Sequence, residues 1–209
     1  MLFRKFREED FPCVLEAYDQ AWGWEQGANP LLRLAAARFY VADMIATSDE
    51  VIVAEENGVF QGLACLVDPL LRQGEDDAVR LRFRKVAAEA LGELAQMEGG
   101  KREVEFMEQL ARSGKRLEAQ LREQGIGWDA ELLFLLCAGH ARGKGMGKAI
   151  AGEVFARLRS VHHSGTVMLK TDTHCSWQFY PKNGWRQAAC YPWPEAEDFT
   201  AFAFTRPIA

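Results

Sequence analysis

Glu131-Leu132-Leu133-Phe134-Leu135-Leu136-Cys137, followed after four residues by Arg142-Gly143-Lys144-Gly145-Met146-Gly147, is the stretch on which the fold turns. The first part is an apolar run of strand length. The second removes side chains at three alternating positions, where a backbone must come close to something. Downstream, Ile150, Ala151, Val154, Phe155 and Leu158 recur at three- and four-residue spacing, which predicts an amphipathic helix. A strand, a glycine turn and a helix start together make an anion site, because unpaired amide N–H groups and the helix dipole converge there. Arg142, Lys144 and Lys148 add positive charge around it.

Two familiar phosphate loops fail on counting. A P-loop needs Gly, four residues, then Gly-Lys-Ser/Thr; with Gly147-Lys148 as the pair, Arg142 stands at the first glycine and Ala149 at the hydroxyl. The dinucleotide pattern Gly-x-Gly-x-x-Gly begins with Gly143 and Gly145 but puts Lys148 at its third glycine.

The spacing that fits is Arg/Gln-x-x-Gly-x-Gly/Ala, as Arg142-x-x-Gly145-x-Gly147. It resembles the coenzyme A pyrophosphate loop of the GCN5-related N-acetyltransferases, the GNAT family. A second stretch, Ser176-Trp177-Gln178-Phe179-Tyr180-Pro181-Lys182-Asn183-Gly184-Trp185, is similar to the family's helix that ends in Phe-Tyr, a few residues, Gly and an aromatic. Between Arg142 and Tyr180 there is room for one helix and one strand, as that fold requires. The resemblance implies an α/β fold with a central, mixed but mostly antiparallel sheet splayed between its fourth and fifth strands. It covers the whole chain except an insertion.

A chain of 209 residues with 48% hydrophobic content fits one domain spanning 1–209. A net charge of −5 and a pI near 5.5 argue against general nucleic-acid binding. Cys13, Cys65, Cys137, Cys175 and Cys190 are an odd set without a C-x-x-C, and the four histidines lack zinc spacing, so no metal is expected and the thiols read as reduced. No run reaches membrane-spanning length and no signal-peptide core opens the chain; the expectation is a cytoplasmic protein with no membrane partner.

Along the chain, 2–7 alternates as a first strand, two helices follow (the second from Asn29-Pro30 to about Thr47), and 50–55 and 59–67 are strands joined by the Asn57-Gly58 turn. Residues 70–127 depart from the family's plan. They carry two apolar stripes: Val79, Phe83, Val86, Ala87, Ala90, Leu94 and Met97, then Met107, Leu110, Ala111, Gly114, Leu117 and Leu121. This predicts a helical hairpin inserted between the third and fourth strands, packing its stripes on each other and on the domain, or acting as a lid or a dimerisation arm. Strands at 166–171, 184–191 and 199–205 complete the pattern.

The family likeness implies acetyl-CoA as co-substrate and direct attack by a primary amine in a ternary complex. The acceptor is expected to be a small-molecule or peptide amine, and homodimerisation stays open. Carried over, Leu136 and Cys137 offer backbone groups to pantetheine, and the amides of Arg142, Gly143, Lys144, Gly145, Met146, Gly147 and Lys148 hold the pyrophosphate. Tyr180 stands where the family places its general acid. Thr173 replaces a frequent asparagine, with Ser176 as another polar contact, and Pro181 is expected to shorten the helix end. An alkylammonium, with pKa near ~10, must lose a proton before attack. Glu131 is the preferred base, with Asp129, Asp172 or a water chain as rivals. The His174-Cys175 pair invites a nucleophilic reading, but neighbours in sequence seldom face each other. Trp22, Trp24 and Tyr40 are expected near the acceptor or in the core. Two other classes stay in view: a GNAT-fold module that binds acyl-CoA or another ligand without turnover, and an interaction protein whose hairpin is the working part.

Overall fold

In the computed structural model, Asn57 and Gly58 both take positive φ, 52° and 76°, which closes the hairpin between β2 (Glu50–Glu56) and β3 (Val59–Val67). This pair anchors a seven-stranded sheet with β1 (Leu2–Lys5), β4 (Ala130–Cys137), β5 (Thr166–Asp172), β6 (Arg186–Pro192) and β7 (Thr200–Pro207), in the order β1-β2-β3-β4-β5-β7-β6. The structure describes residues 1–23, 29–72, 74, 76–194, 196 and 198–208; the expectation for Trp24 lies outside them. All strand pairs are antiparallel except β4 with β5, which are parallel and in register only at Ala130↔Val167 and Glu131↔Met168. Beyond Glu131 the two strands part, and a split opens through the middle of the sheet.

A bulge precedes the open part of β4. Cys65 pairs with Phe134 and Leu66 with Leu132, so Leu133 is the extra residue. Such an insertion bends the strand and turns its side chains. Phe134 then faces α1 (Phe11–Trp22) and α2 (Pro30–Thr47), its ring 5.9 Å from Trp22 and 5.8 Å from Tyr40. Helix α2 starts where expected, because the Asn29 side-chain oxygen accepts from the amides of Leu31 and Leu32 and Pro30 occupies the first helical position. On the opposite face, α5 (Met146–Val161) buries Ile150, Val154, Phe155 and Leu158 in the main core. A four-residue helix, α6 (Phe179–Lys182), carries Tyr180; Pro181 leaves it no longer run.

Between β3 and β4 the chain forms two helices, α3 (Asp76–Gln96) and α4 (Gly100–Glu123). They do not lie stripe to stripe along their length. Phe83 of α3 packs edge-on against Phe6 and Phe11, while Leu117 and Leu121 of α4 pack on Met168, Trp193 and Phe199 around β5, β6 and β7. The two helices meet at their joined end, where Leu94, Met97, Val104 and Met107 gather on Leu32, Ala35 and Ala36 of α2. The hairpin thus straddles the face of the sheet that α1 and α2 also cover. The second stripe is rotated from the expected one: Ala111 is exposed, and Ser113 is buried with its hydroxyl donating to the Gln109 carbonyl. That bond gives the hydroxyl a partner where it loses water. No helix among the described residues is long and apolar enough to cross a membrane.

Candidate functional site

The glycine loop lies at the wide end of the split. Gly143 and Gly145 have φ of 74° and 83°, a region other residues enter at a cost, and a Cβ placed at either would meet nothing within 4 Å. Space outside the loop is therefore open to a ligand. The first helical bond runs from the Ala149 amide to the Gly145 carbonyl, and none of the amides from Gly143 to Lys148 finds a well-formed protein acceptor among the described residues. Lys144 and Lys148 are exposed, and neither makes an ion pair among the described residues. Gly147 serves a different need: a Cβ there would come 3.4 Å from the Phe179 ring and 3.7 Å from Cys137 Sγ. Its bareness lets α6 pack against the loop, which joins the two sequence motifs in space.

Arg142 does not belong to this anion cradle in the way its charge suggests. Its Nε donates to the Cys137 carbonyl at 3.1 Å, Nη1 to Gln20 at 3.4 Å and Nη2 to Ala17 at 3.2 Å. The guanidinium caps carbonyls at the C-terminal end of α1, where the helix dipole is negative, and ties that helix to the end of β4. Its own amide donates to the Gly139 carbonyl. The positive charges left for a ligand are Lys144 and Lys148.

The Leu136 expectation also shifts by one residue. The Ala138 amide donates to the Gln61 carbonyl of the β3 side. In an antiparallel ladder the bonding direction alternates, so Leu136 also turns its main chain toward β3, whereas Leu135 and Cys137 turn theirs into the split. The Cys137 carbonyl is engaged by Arg142, which leaves its amide and both groups of Leu135 at the open edge. Leu136 is a core side chain, 2% exposed.

Tyr180 packs against the rings of Phe179, Trp185 and Phe204. Burial raises its phenol above the ordinary tyrosine value, and the nearby Cys175, Cys137 and Asp172 push the same way. A phenol held protonated is a hydrogen-bond and proton donor. The two thiols near it are held in the protonated form: burial, then Asp172, pushes Cys175 up to about 12, and burial raises Cys137 despite Arg142. The His174 ring stacks edge-on against Phe199 at 5.0 Å, and the Cys175 thiol bonds Thr171 and Asp172, so the two neighbours look different ways. Thr173 is committed elsewhere, its hydroxyl donating to the Asp198 carbonyl and accepting from the Thr200 amide. Ser176 is exposed near the start of α6.

On the α1/α2 face of the split, Tyr18, Trp22, Tyr40 and Phe134 form one aromatic group. Burial raises the Tyr40 phenol, with Cys175, Asp172 and Asp43 contributing in turn, so Tyr40 looks toward the end of β5. The three carboxylates separate clearly. Asp129 Oδ2 accepts from the Thr166 amide at 2.8 Å, at the closed end of the strands. Asp172, only 8% exposed, accepts from the His174 amide and is raised by burial. Glu131 lies at the apex where β4 and β5 part, 3.1 Å from Lys170 Nζ; burial raises its carboxyl and Lys170 opposes that. Among the described residues no group of three or more His, Cys, Asp and Glu is arranged to hold a metal ion.

A split sheet with an amide cradle at its mouth and a phenol beside it is the frame of an acyl-CoA N-acyltransferase fold. No protein-family model and no curated protein matches the sequence. Solved structures do. A Desulfovibrio desulfuricans protein assigned to the GNAT family superposes with a TM-score of 0.54 at 13% identity, covering 100% of this chain and 99% of its own. An aminoglycoside 6'-N-acetyltransferase from Enterococcus faecium gives 0.56 at 11% identity, with 100% and 98% covered. An aminoglycoside 6'-N-acetyltransferase complexed with coenzyme A gives 0.54 at 11%, again with 100% and 98% covered. This chain has the GNAT fold.

Proposed function

We propose that the protein is an N-acetyltransferase that moves an acetyl group from acetyl-CoA to a primary amine by direct attack. One observation carries the reading: the unclaimed amides of Gly143 to Lys148, at the N-terminus of α5, stand at the mouth of the split between β4 and β5. A diphosphate fits that cradle, with Lys144 and Lys148 to balance its charge. Its pantetheine arm would follow the open edge of β4, hydrogen-bonding Leu135 and the Cys137 amide as an added strand does.

The chemistry then divides between the two faces of the split. At pH 7 an alkylamine is about one part in two thousand neutral, a barrier contribution of about 4–5 kcal/mol unless a base removes the proton. Glu131, raised by burial and standing where β4 and β5 part, takes that proton directly or through water. The free amine attacks the thioester carbonyl, the C–N bond forms, and the C–S bond breaks. Tyr180 donates its proton to the departing thiolate, a contribution of about 10²–10⁴-fold for a positioned acid, and is reprotonated by the second proton that the amine nitrogen loses as the amide forms, while Glu131 gives its proton to solvent. Thiol and acetylated amine leave, and no acyl-enzyme on cysteine is needed.

Thiol release from acetyl-CoA, followed across a panel of primary amines with acetylated product identified by mass, tests the reading. Amine-dependent thiol release is expected. Saturable acetyl-CoA binding without thiol or product from any amine would instead mark a binding module.

A further inference from the structure

Helix α4 carries more than an apolar stripe. A line of alternating charge runs from its surface into the apex of the split. Arg122 Nη2 lies 3.3 Å from Glu118 Oε2, Glu118 Oε1 lies 2.6 Å from Lys170 Nζ, and Lys170 Nζ lies 3.1 Å from Glu131 Oε1. The passage is built for it: a Cβ at Gly114, one turn before Glu118, would sit 3.5 Å from Lys170 Cδ. Glu131 Oε1 is shielded from water and has no well-angled hydrogen bond, and among the described residues Lys170 is the cation beside it. Among the described residues the charged groups facing Glu131 are Lys170 from β5 and Glu118 from α4, with Arg122 behind Glu118; its neighbour on β3 is Val67.

We propose that Glu118, on α4, is a positioning residue that shares Lys170 with Glu131 and so sets the charge state of the carboxylate at the apex. This rests on the reading of Glu131 as proton acceptor. One ammonium divided between two carboxylates balances neither. Remove Glu118, and Lys170 belongs to Glu131 alone while a like charge disappears, so Glu131 holds its proton less tightly. Remove Lys170, and two carboxylates share the space without a cation, so Glu131 holds its proton more tightly. The two changes act in opposite directions, which loss of packing would not produce.

The experiment uses the full-length protein with Glu118→Gln, which keeps an acceptor for Lys170, and Lys170→Met, which keeps the stem. Glu131 is followed by its ¹³C carboxyl resonance, assigned by its loss in Glu131→Gln, and the acid limb of kcat/KM is measured alongside. Glu118→Gln should lower the Glu131 midpoint by about half a pH unit and Lys170→Met should raise it by about one, both discounted for partial exposure. An unmoved midpoint, or shifts of the same sign, would overturn the proposal even if the protein never turned over. Opposite midpoint shifts with an unmoved acid limb would keep the coupling and remove Glu131 from the proton transfer.

Discussion

Gly145 caps α5 and Gly152 lies seven residues on, inside it, and the same substitution at the two should have opposite signs. At both positions a Cβ meets nothing within 4 Å, so no clash enters either side of the comparison. Gly145 is the cap residue with φ 83° and ψ 3°, where alanine costs about 1–2 kcal/mol in backbone energy. Gly152 is an exposed position inside α5, where alanine is better than glycine by about 0.8–1 kcal/mol. For a chain of this size 1 kcal/mol moves the melting temperature by about 2–4 °C. Gly145→Ala should therefore lower Tm by about 2–8 °C, and Gly152→Ala should raise it by about 2–4 °C. The two variants should also separate in binding. A relaxed cap misdirects the amides of Met146 and Gly147, so Gly145→Ala weakens acetyl-CoA affinity, whereas Gly152→Ala leaves it unchanged. Thermal melts with and without coenzyme A read both effects at once. Equal signs in Tm, or coenzyme affinity untouched by Gly145→Ala, would refute the assignment of the cap as a conformation-dependent anion site.

The cations around the loop should divide by role. Arg142→Ala removes a guanidinium that ties three carbonyls and should destabilise the fold by about 1–2 kcal/mol in a denaturant titration; Lys144→Ala and Lys148→Ala should change stability by no more than about 0.5 kcal/mol. The lysine variants should weaken coenzyme affinity and flatten its dependence on salt, and unchanged affinity in both would remove them from the site. Tyr180→Phe should lower kcat by about 10²-fold with little change in KM for acetyl-CoA, since only the proton donor is lost; an unaffected kcat would dismiss it as the acid. Because burial raises that phenol, activity should not fall through tyrosine ionisation until the pH passes the ordinary value near 10.

The glycine loop, the Asn57-Gly58 turn, the Asn29 cap and the two helices between β3 and β4 could be read from the sequence because each is a local pattern. Conformation or periodicity decides them within a few residues. The partners of Arg142 could not, since Gln20 and Ala17 stand 122 and 125 residues away. Nor could the choice of Leu135 over Leu136, which depends on the pairing of β4 with β3 and on the bulge at Leu133. Periodicity finds the apolar stripe of α3 but misses the turn of the α4 stripe toward Ser113, and what each covers depends on α2 for one and on β6 and β7 for the other. In the sequence Glu118 is one of many charged residues on α4, and no local pattern marks it out. Only the nearness of Lys170, 52 residues on, sets it apart. Pro181 was the exception among distant features, because a proline after Tyr180 limits the helix whatever surrounds it.

The most direct measurement is an amide ¹H–¹⁵N titration of the full-length protein with coenzyme A. Saturable shifts should be largest at Gly143, Lys144, Gly145, Met146, Gly147 and Lys148, with Leu135 and Cys137 moving in step. Absence of saturable binding, or binding that moves other amides and leaves this turn unshifted, would contradict the account at its root.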